Sequence, residues 1–449
     1  MKRLKPRHGH RFAIMSPMAS IRESLMLANR YTTQLAILAA LLASAPGAAS
    51  EPPATWALKG SKIYVAPDSR PIENGAVLVR DGKIAAVGAG EAVIPEGTPV
   101  SECSGGIVTA GFQNSHVHFV GKEFANARDA SPPALKDALT SMLTRFGYTT
   151  VVDTATFDRD NSLALRAHIE RGEVPGPRIL TVGLPLFPPQ GIPVYLSHFP
   201  KEVRERLPQP DTAKAAVQVV RNNVGAGTHA TKLFVATPTD RQGTVKRMPP
   251  DIARAAVDET HRHKQLAIAH PTDIDGVRAA IAADVDILAH TTLGAKAPWP
   301  DDVLRQFIDA DMAMMPTLQL LGYELKKEGV PEDIARQIVG ATIDHFRAFV
   351  AAGGRVIFGT DVGYMTDHDP TQEYALMAQA GMSPMRILAS LTTEPAKAWR
   401  ESEQRGKLAA GMDADIVVLD ADPAADPRNF AKVRCAFRQG RAIYRASGK

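Results

Sequence analysis

The stretch LAIAHPTDIDGVRAAIAADVDILAH (residues 266–290) reads as a complete strand–helix–strand unit. Its first apolar run, 266–270, and its last, 287–290, are too short for helices. Between them, 276–283 has the apolar spacing of an amphipathic helix. Both runs end on a histidine, His270 and His290. The same rhythm extends outward. Further apolar runs stand at 107–119, 149–154, 178–183, 231–235, 313–318 and 356–361, with helical patterns at 133–146, 212–224, 250–263 and 331–352. Eight strand–helix units in about 280 residues predict an α/β fold of the (β/α)8 TIM-barrel type. A doubly wound open sheet alternates in the same way, but no Gly-rich phosphate loop follows the first run.

Both flanks of this region change character. From 56 to 107 the chain reads as short strands (63–66, 75–80, 83–88) separated by Pro- and Gly-containing turns, and 415–419 and 435–445 read alike. Two such segments at opposite ends are expected to join into one small β-sandwich domain. The predicted organisation is a leader at 1–50, the first part of the sandwich at 51–107, the barrel at 108–402 and the second part of the sandwich at 403–449.

The 449 residues are 45% hydrophobic and 22% charged, a globular composition that buries a large core without needing disulfides. The formal charge of +4 misleads, because residues 1–50 hold seven Lys/Arg and one acid; the remainder has 45 basic and 47 acidic residues. No basic patch in the body argues for nucleic acid as a partner. The leader has a basic start, the apolar run 35–42 and then small residues, as a secretory signal peptide does, with cleavage after Ala45 or near Ser50. That predicts a periplasmic or secreted protein. The run is too short to span a bilayer, and no Cys near the cleavage zone offers a lipid anchor, so no stable membrane anchor is expected. The other reading is a tail on a cytosolic protein. Met15 or Met26 could be the true start. Cys103 and Cys435 both fall in the small domain, as a disulfide or as two buried thiols.

The chemistry sits at the ends of the runs. In His116-Val117-His118 the two imidazoles share one face of a strand. His270, His290 and Asp361 end later runs, and barrel active sites form at the carboxyl ends of strands. Four histidines and an aspartate at that face predict a metal site, since a cation offsets the cost of burying them. Lys232 stands in an apolar run. A buried ammonium has no lone pair for a metal, so it must pair with an acid, lose its proton or be modified; from the residues alone a salt bridge is the simplest of these. The segment 184–207, rich in Pro and aromatic residues, reads either as a lid or pocket wall or as a structural insertion.

Several stretches together resemble the amidohydrolase superfamily, nearest its imidazolonepropionase-like and Xaa-Pro dipeptidase-like branch. They are TAGFQNSHVHF (109–119), TKLF (231–234), AH (269–270), AH (289–290), FGTD (358–361), ASLTTEPA (389–396) and GKLAAGMDAD (406–415). The resemblance covers about residues 56–445. It implies a metal-dependent hydrolase of carbon–nitrogen bonds, in a non-peptide amide or a dipeptide-like small molecule, using a metal-activated hydroxide. It further implies a carbamate on Lys232 bridging two divalent ions, with His116, His118 and Asp361 on one and His270 and His290 on the other. Zn2+ is the default from the donor set, while manganese, cobalt or iron also fit. Asp361 is expected as general base and then acid, with His290 helping to polarise the carbonyl.

Two positions depart from the family. Asn114 replaces the usual Asp two residues before the first His, and is expected to point into the site without charge. Ala289-His290-Thr291 stands where the branch often has Glu-His-Gly. Tyr364, His368, Gln319 and Arg247 are the expected substrate contacts, with Tyr323, Asp367 and Lys246 as further candidates; for each, an ordinary loop role is the alternative. Opening of a cyclic amide or lactone, or an inactive metal-binding homologue, are the competing functions. A homo-oligomer stays open.

Overall fold

A computed structural model describes residues 55–197, 199–292 and 298–446. The leader expected at 1–50 lies outside the described residues. Among the described residues there are seventeen strands, in chain order β1 (Trp56–Ile63), β2 (Ile72–Arg80), β3 (Lys83–Ala89), β4 (Ile107–Ala110), β5 (Phe112–Val117), β6 (Tyr148–Asp153), β7 (Arg178–Thr181), β8 (Ala230–Phe234), β9 (Ala236–Pro238), β10 (Val245–Arg247), β11 (Leu266–His270), β12 (Ile287–Ala289), β13 (Ala313–Met315), β14 (Arg355–Val356), β15 (Ile416–Leu419), β16 (Val433–Arg438) and β17 (Arg441–Arg445).

The central strands form a TIM-barrel-like α/β arrangement. β5-β6-β7 make one parallel sheet and β8-β11-β12-β13-β14 another, each in chain order apart from the β9–β10 hairpin. The strand ladder is therefore not continuous around a ring. Single backbone contacts join the facing edges: Leu186 N–H to Lys232 O and His229 N–H to Thr181 O on one side, Ser115 N–H to Phe358 O and His118 N–H to Val362 O on the other. Short apolar strands buried on both faces are what a parallel sheet covered by helices requires; β5, β6 and β8 are buried at every position.

The unit at 266–290 shows how local sequence fixes the geometry. After β11 the helix Ile274–Ala282 starts two residues earlier than its apolar pattern suggested. The Asp273 side chain caps it by accepting from Gly276 N–H. Gly276 is packed so closely that a Cβ there would lie 1.7 Å from Pro271 O. The preceding helix, Pro250–Arg262, has Pro at its start, Asp251 in its first turn and Arg262 in its last, each favourable for the helix dipole. It buries Ile252, Ala256 and Val257 in the main core.

Strand pairing changes the expectation for the small domain. Its seven strands form one sheet, in the order β17-β16-β15-β4-β1-β2-β3, rather than two separate sheets of a sandwich. Both chain ends contribute, as expected. The run 107–119 divides: β4 pairs with β1 and β15 in this sheet, and only β5 belongs to the ring. The chain thus passes from one sheet to the other at Gly111, three residues beyond the expected boundary. Cys103 and Cys435 are bonded to each other and lie in a separate core with Leu58, Val77, Ile416 and Phe437.

Candidate metal and active site

Alternation along the strands builds the site in two layers. Ala230, Ile268, Ile287 and Met315 form an apolar plug. Two residues further on, side chains of the same face carry chemistry: Lys232 follows Ala230, and His270 follows Ile268. His116 lies in β5 and His118 just past it, His290 just past β12, and Asp361 beyond β14. All six line one cavity of about 750 Å³.

His118 Nε2 is 2.8 Å and His116 Nε2 3.6 Å from Asp361 Oδ1. His290 Nδ1 is 3.9 Å from Asp361 Oδ2. The His290 ring centroid stands 4.7 Å from that of His116 and 4.8 Å from that of His270. Potential ligand atoms of His116, His290 and Asp361 all fall within 4.8 Å of one another. His116 Nδ1 and Asp361 Oδ1 are buried without a hydrogen-bond partner. His118 Nδ1 is 3.1 Å from Ala155 O; a carbonyl only accepts, so this nitrogen carries the proton. In neutral His118 the Nε2 lone pair then faces a carboxylate oxygen at 2.8 Å, a contact that needs a proton or a metal cation between the two atoms. The residues present fit a metal.

Electrostatics agree. Burial, with the Lys232 charge adding to it, holds His116 and His270 well below the usual imidazole range; at His290 burial and the neighbouring His270 do so. Neutral imidazole is the ligating form. Burial lowers His118 too, but Asp361 beside it outweighs burial and raises it.

Lys232 meets no salt bridge. It is 1% exposed, and its Nζ lies over the Phe234 ring at 5.5 Å from the centroid. Burial pushes its amine down to about 7, against a distant pull from Asp361. Of the three fates open to it, pairing with an acid finds no partner among the described residues.

The backbone is strained where the ligands leave their strands. His290 (φ 72°), Asp361 (φ 67°) and Thr317 (φ 44°) adopt the left-handed conformation. For non-Gly residues this costs on the order of 1–3 kcal/mol each and clusters at functional sites. Beside Asp361, Gly363 has φ 96° and passes so near β5 that a Cβ would lie 1.7 Å from His118 O. The loop is thereby pressed against His118, just past β5.

Several supporting residues were not foreseen. Thr317 Oγ1 lies 2.7 Å from His290 Nδ1 and fixes that ring. Thr317 is in turn held by the helix that follows it, Leu318–Lys327, whose first two N–H groups both donate to the buried Glu373 carboxylate at 2.9 and 2.8 Å. Asp153, fully buried at the end of β6, accepts from Ser162 with one oxygen and has no partner for the other. An acid at the end of the run 149–154 was the available signal for Asp153. Nothing in the sequence pointed to Glu373.

Glu373 gives a test by pH. Burial raises its carboxyl to about 7 from an ordinary value of 4.5, with the two N–H bonds opposing. The folded state then binds more protons than the unfolded state between these values, so its contribution to stability is full below about pH 4.5 and lost as pH rises through about 7. Urea unfolding at pH 5 and pH 8 should show the wild type losing more stability across this interval than Glu373→Gln. Equal losses would refute the shift.

The expected substrate contacts fare unevenly. Tyr364 lines the cavity. Arg247 does not; it is bound bidentately to Asp273 and also contacts Asp275. Gln319 is buried and does not line the cavity; its Oε1 accepts from Glu373 N–H. His368 is absent from the cavity lining, and Asp367 instead accepts from Asp369 N–H. Tyr323 is absent from the cavity lining, its hydroxyl lying 3.2 Å from Thr366 Oγ1, and Lys246 is exposed on β10. Asn114 does not line the cavity: its Oδ1 accepts from His116 N–H and its Nδ2 donates to Thr360 Oγ1. The segment 184–207 is a pocket wall, contributing Phe187, Tyr195, Leu196 and Phe199.

Comparison with known proteins adds a family. Residues 107–443 match the sequence pattern of the Amidohydrolase family. Ochratoxinase of Aspergillus niger is 22% identical over 423 residues, covering 86% of each chain. Among solved structures, a Xaa-Pro dipeptidase with bound methionine superposes with a TM-score of 0.73 at 19% identity, over 87% of this chain and 100% of that one. The A. niger ochratoxinase structure gives 0.73 at 19%, over 88% and 96%. Molinate hydrolase gives 0.71 at 20%, over 87% and 95%. At these identities the structures speak for the fold, and the match over residues 107–443 for the lineage: the chain belongs to the amidohydrolase family and is a hydrolase acting on C–N bonds.

Proposed function

We propose that the protein hydrolyses the C–N bond of a small amide, non-peptide or dipeptide-like, with two divalent ions, Zn2+ by default, and a carbamate on Lys232. The observation carrying this reading is the convergence of four histidines, an unpaired lysine and an aspartate on one cavity. His116, His118 and Asp361 would hold one ion, His270 and His290 the other, with the lysine carbamate between them. When bound, the ions supply an acidified water and polarise the substrate carbonyl. Asp361 takes the proton of the attacking water and delivers it to the leaving nitrogen as the C–N bond breaks. His290, whose Nδ1 is held by Thr317, has only Nε2 left, and as a ligand it would help polarise the carbonyl through the ion it holds rather than by a hydrogen bond of its own. We also place the protein outside the cytoplasm, since the Cys103–Cys435 bond suits an oxidising compartment and the leader pattern suits export.

The test is metal analysis followed by a screen of dipeptides and N-acyl amino acids. Exhaustive chelation should abolish turnover, and zinc, manganese or cobalt should restore it. Undiminished activity in metal-free protein would overturn the proposal.

A further inference from the structure

Beyond the ligands, the cavity is built from rings. Phe187 stacks on Phe234 with centroids 4.4 Å apart, and Phe234 stacks in turn on the ligand His270. Phe157 and Phe199 meet edge to face at 4.8 Å. Tyr195 and Tyr364 meet edge to face at 6.0 Å. All six rings line the cavity. Three of them, Phe187, Tyr195 and Phe199, come from the segment between β7 and β8. They form a small core of their own with Leu196 and Leu207, separate from the main one. This wall is preformed, because its rings already pack on each other. At the rim, Lys327 lies 3.3 Å from Glu324 and over the Tyr364 ring; the pair balances its own charge and selects neither sign.

From this geometry we infer that the substrate is an amide bearing a large aromatic group, seated between the 184–207 wall and Tyr364, and that Phe199 and Tyr195 determine this specificity. The inference rests on the hydrolase reading above and names its substrate class. Aromatic faces and edges reward ring contact beyond mere burial. The seat lies on the wall rather than among the ligands, so it holds substrate and transition state equally and acts mainly through KM. Removing a naphthyl-sized group from water should lower KM by roughly tenfold or more relative to a methyl in its place.

The experiment compares N-acetyl-, N-benzoyl- and N-naphthoyl-L-alanine, together with the acetamide of naphthylamine, on the metal-loaded enzyme. Binding of an uncharged naphthyl ketone dye, whose emission reports polarity, is measured separately with and without metal. The expected result is a KM falling with ring size in at least one orientation of the amide, and dye binding that survives chelation. Phe199→Ala should raise the naphthyl KM and the dye Kd more than Phe199→Leu does, by at least about fivefold, and should narrow the ratio between naphthoyl and acetyl substrates. Thermal unfolding checks that both variants fold. Acetyl substrate turned over as well as naphthoyl, or dye affinity indifferent to Phe199, would overturn the inference while leaving the hydrolase reading intact. Dye binding without turnover of any amide would instead strike the hydrolase reading.

Discussion

Exchanging Asp361 for Asn should lower kcat by roughly 10²–10⁴-fold, the range for losing a positioned general base, while most of the metal and the fold remain. The backbone argument makes this substitution clean. Asp361 sits at φ 67°, a conformation that Asn tolerates far better than other uncharged non-Gly residues. The loop stays pinned in either case, because Asp361 N–H donates to His116 O and Gly363 is wedged against His118. Asn keeps an oxygen facing His118 and His116, so coordination is weakened rather than removed. It can no longer take a proton from water. The measurement is kcat and KM with metal content determined on the same sample. A variant with near-normal kcat would remove Asp361 from proton transfer. A variant inactive because it is metal-free would assign the residue to binding alone.

What the sequence reveals of this site follows from periodicity. Two imidazoles two residues apart share a strand face, and runs that end on His270, His290 and Asp361 put those side chains at one end of parallel strands. These are local facts, readable without knowing which strand neighbours which. Partner choice is different. Alternation in 56–107 and 415–445 marks strands, but one continuous seven-stranded sheet and a sandwich share that alternation. The run 107–119 is apolar throughout, so nothing in its pattern separates β4 from β5. Substrate contacts fail for a related reason. Arg247 looked available beside the fourth strand, yet Asp273, which caps the helix after the next strand, engages it on both guanidinium nitrogens. Gln319 was an expected substrate contact, but its side chain is buried off the cavity lining and accepts from Glu373 N–H. In both cases a residue distant in sequence decides where the side chain points: the Asp273 carboxylate for Arg247 and the Glu373 backbone N–H for Gln319. The aromatic wall was visible as composition in 184–207, while its ring pairs, Phe187 with Phe234, Phe199 with Phe157 and Tyr195 with Tyr364, join residues far apart in the chain.

Replacing Lys232 with Met should strip the protein of at least one equivalent of metal and reduce turnover by about two orders of magnitude or more, comparable to losing any bridging ligand, without lowering thermal stability in the metal-free state. The two halves of this expectation separate three roles for the residue. If Lys232 were a structural ion pair, removing one partner of a buried pair would destabilise the fold by roughly 3–5 kcal/mol. Yet its amine is buried beside the Phe234 ring with no salt-bridge partner among the described residues and only a weaker pull from Asp361, so an apolar chain of similar length relieves a desolvation penalty instead. If it were a neutral amine with no further role, metal content would not change. A carbamate makes both predictions at once. Its formation needs an unprotonated amine, whose nitrogen bonds to the carbon of carbon dioxide and sheds one proton; the product is a carboxylate able to donate oxygens to two ions. Metal-free wild type should therefore take up zinc more fully when bicarbonate is present, and Lys232→Met should be indifferent to it. Metal content in the variant equal to wild type, by elemental analysis after gel filtration, would defeat the bridging role whatever happened to activity.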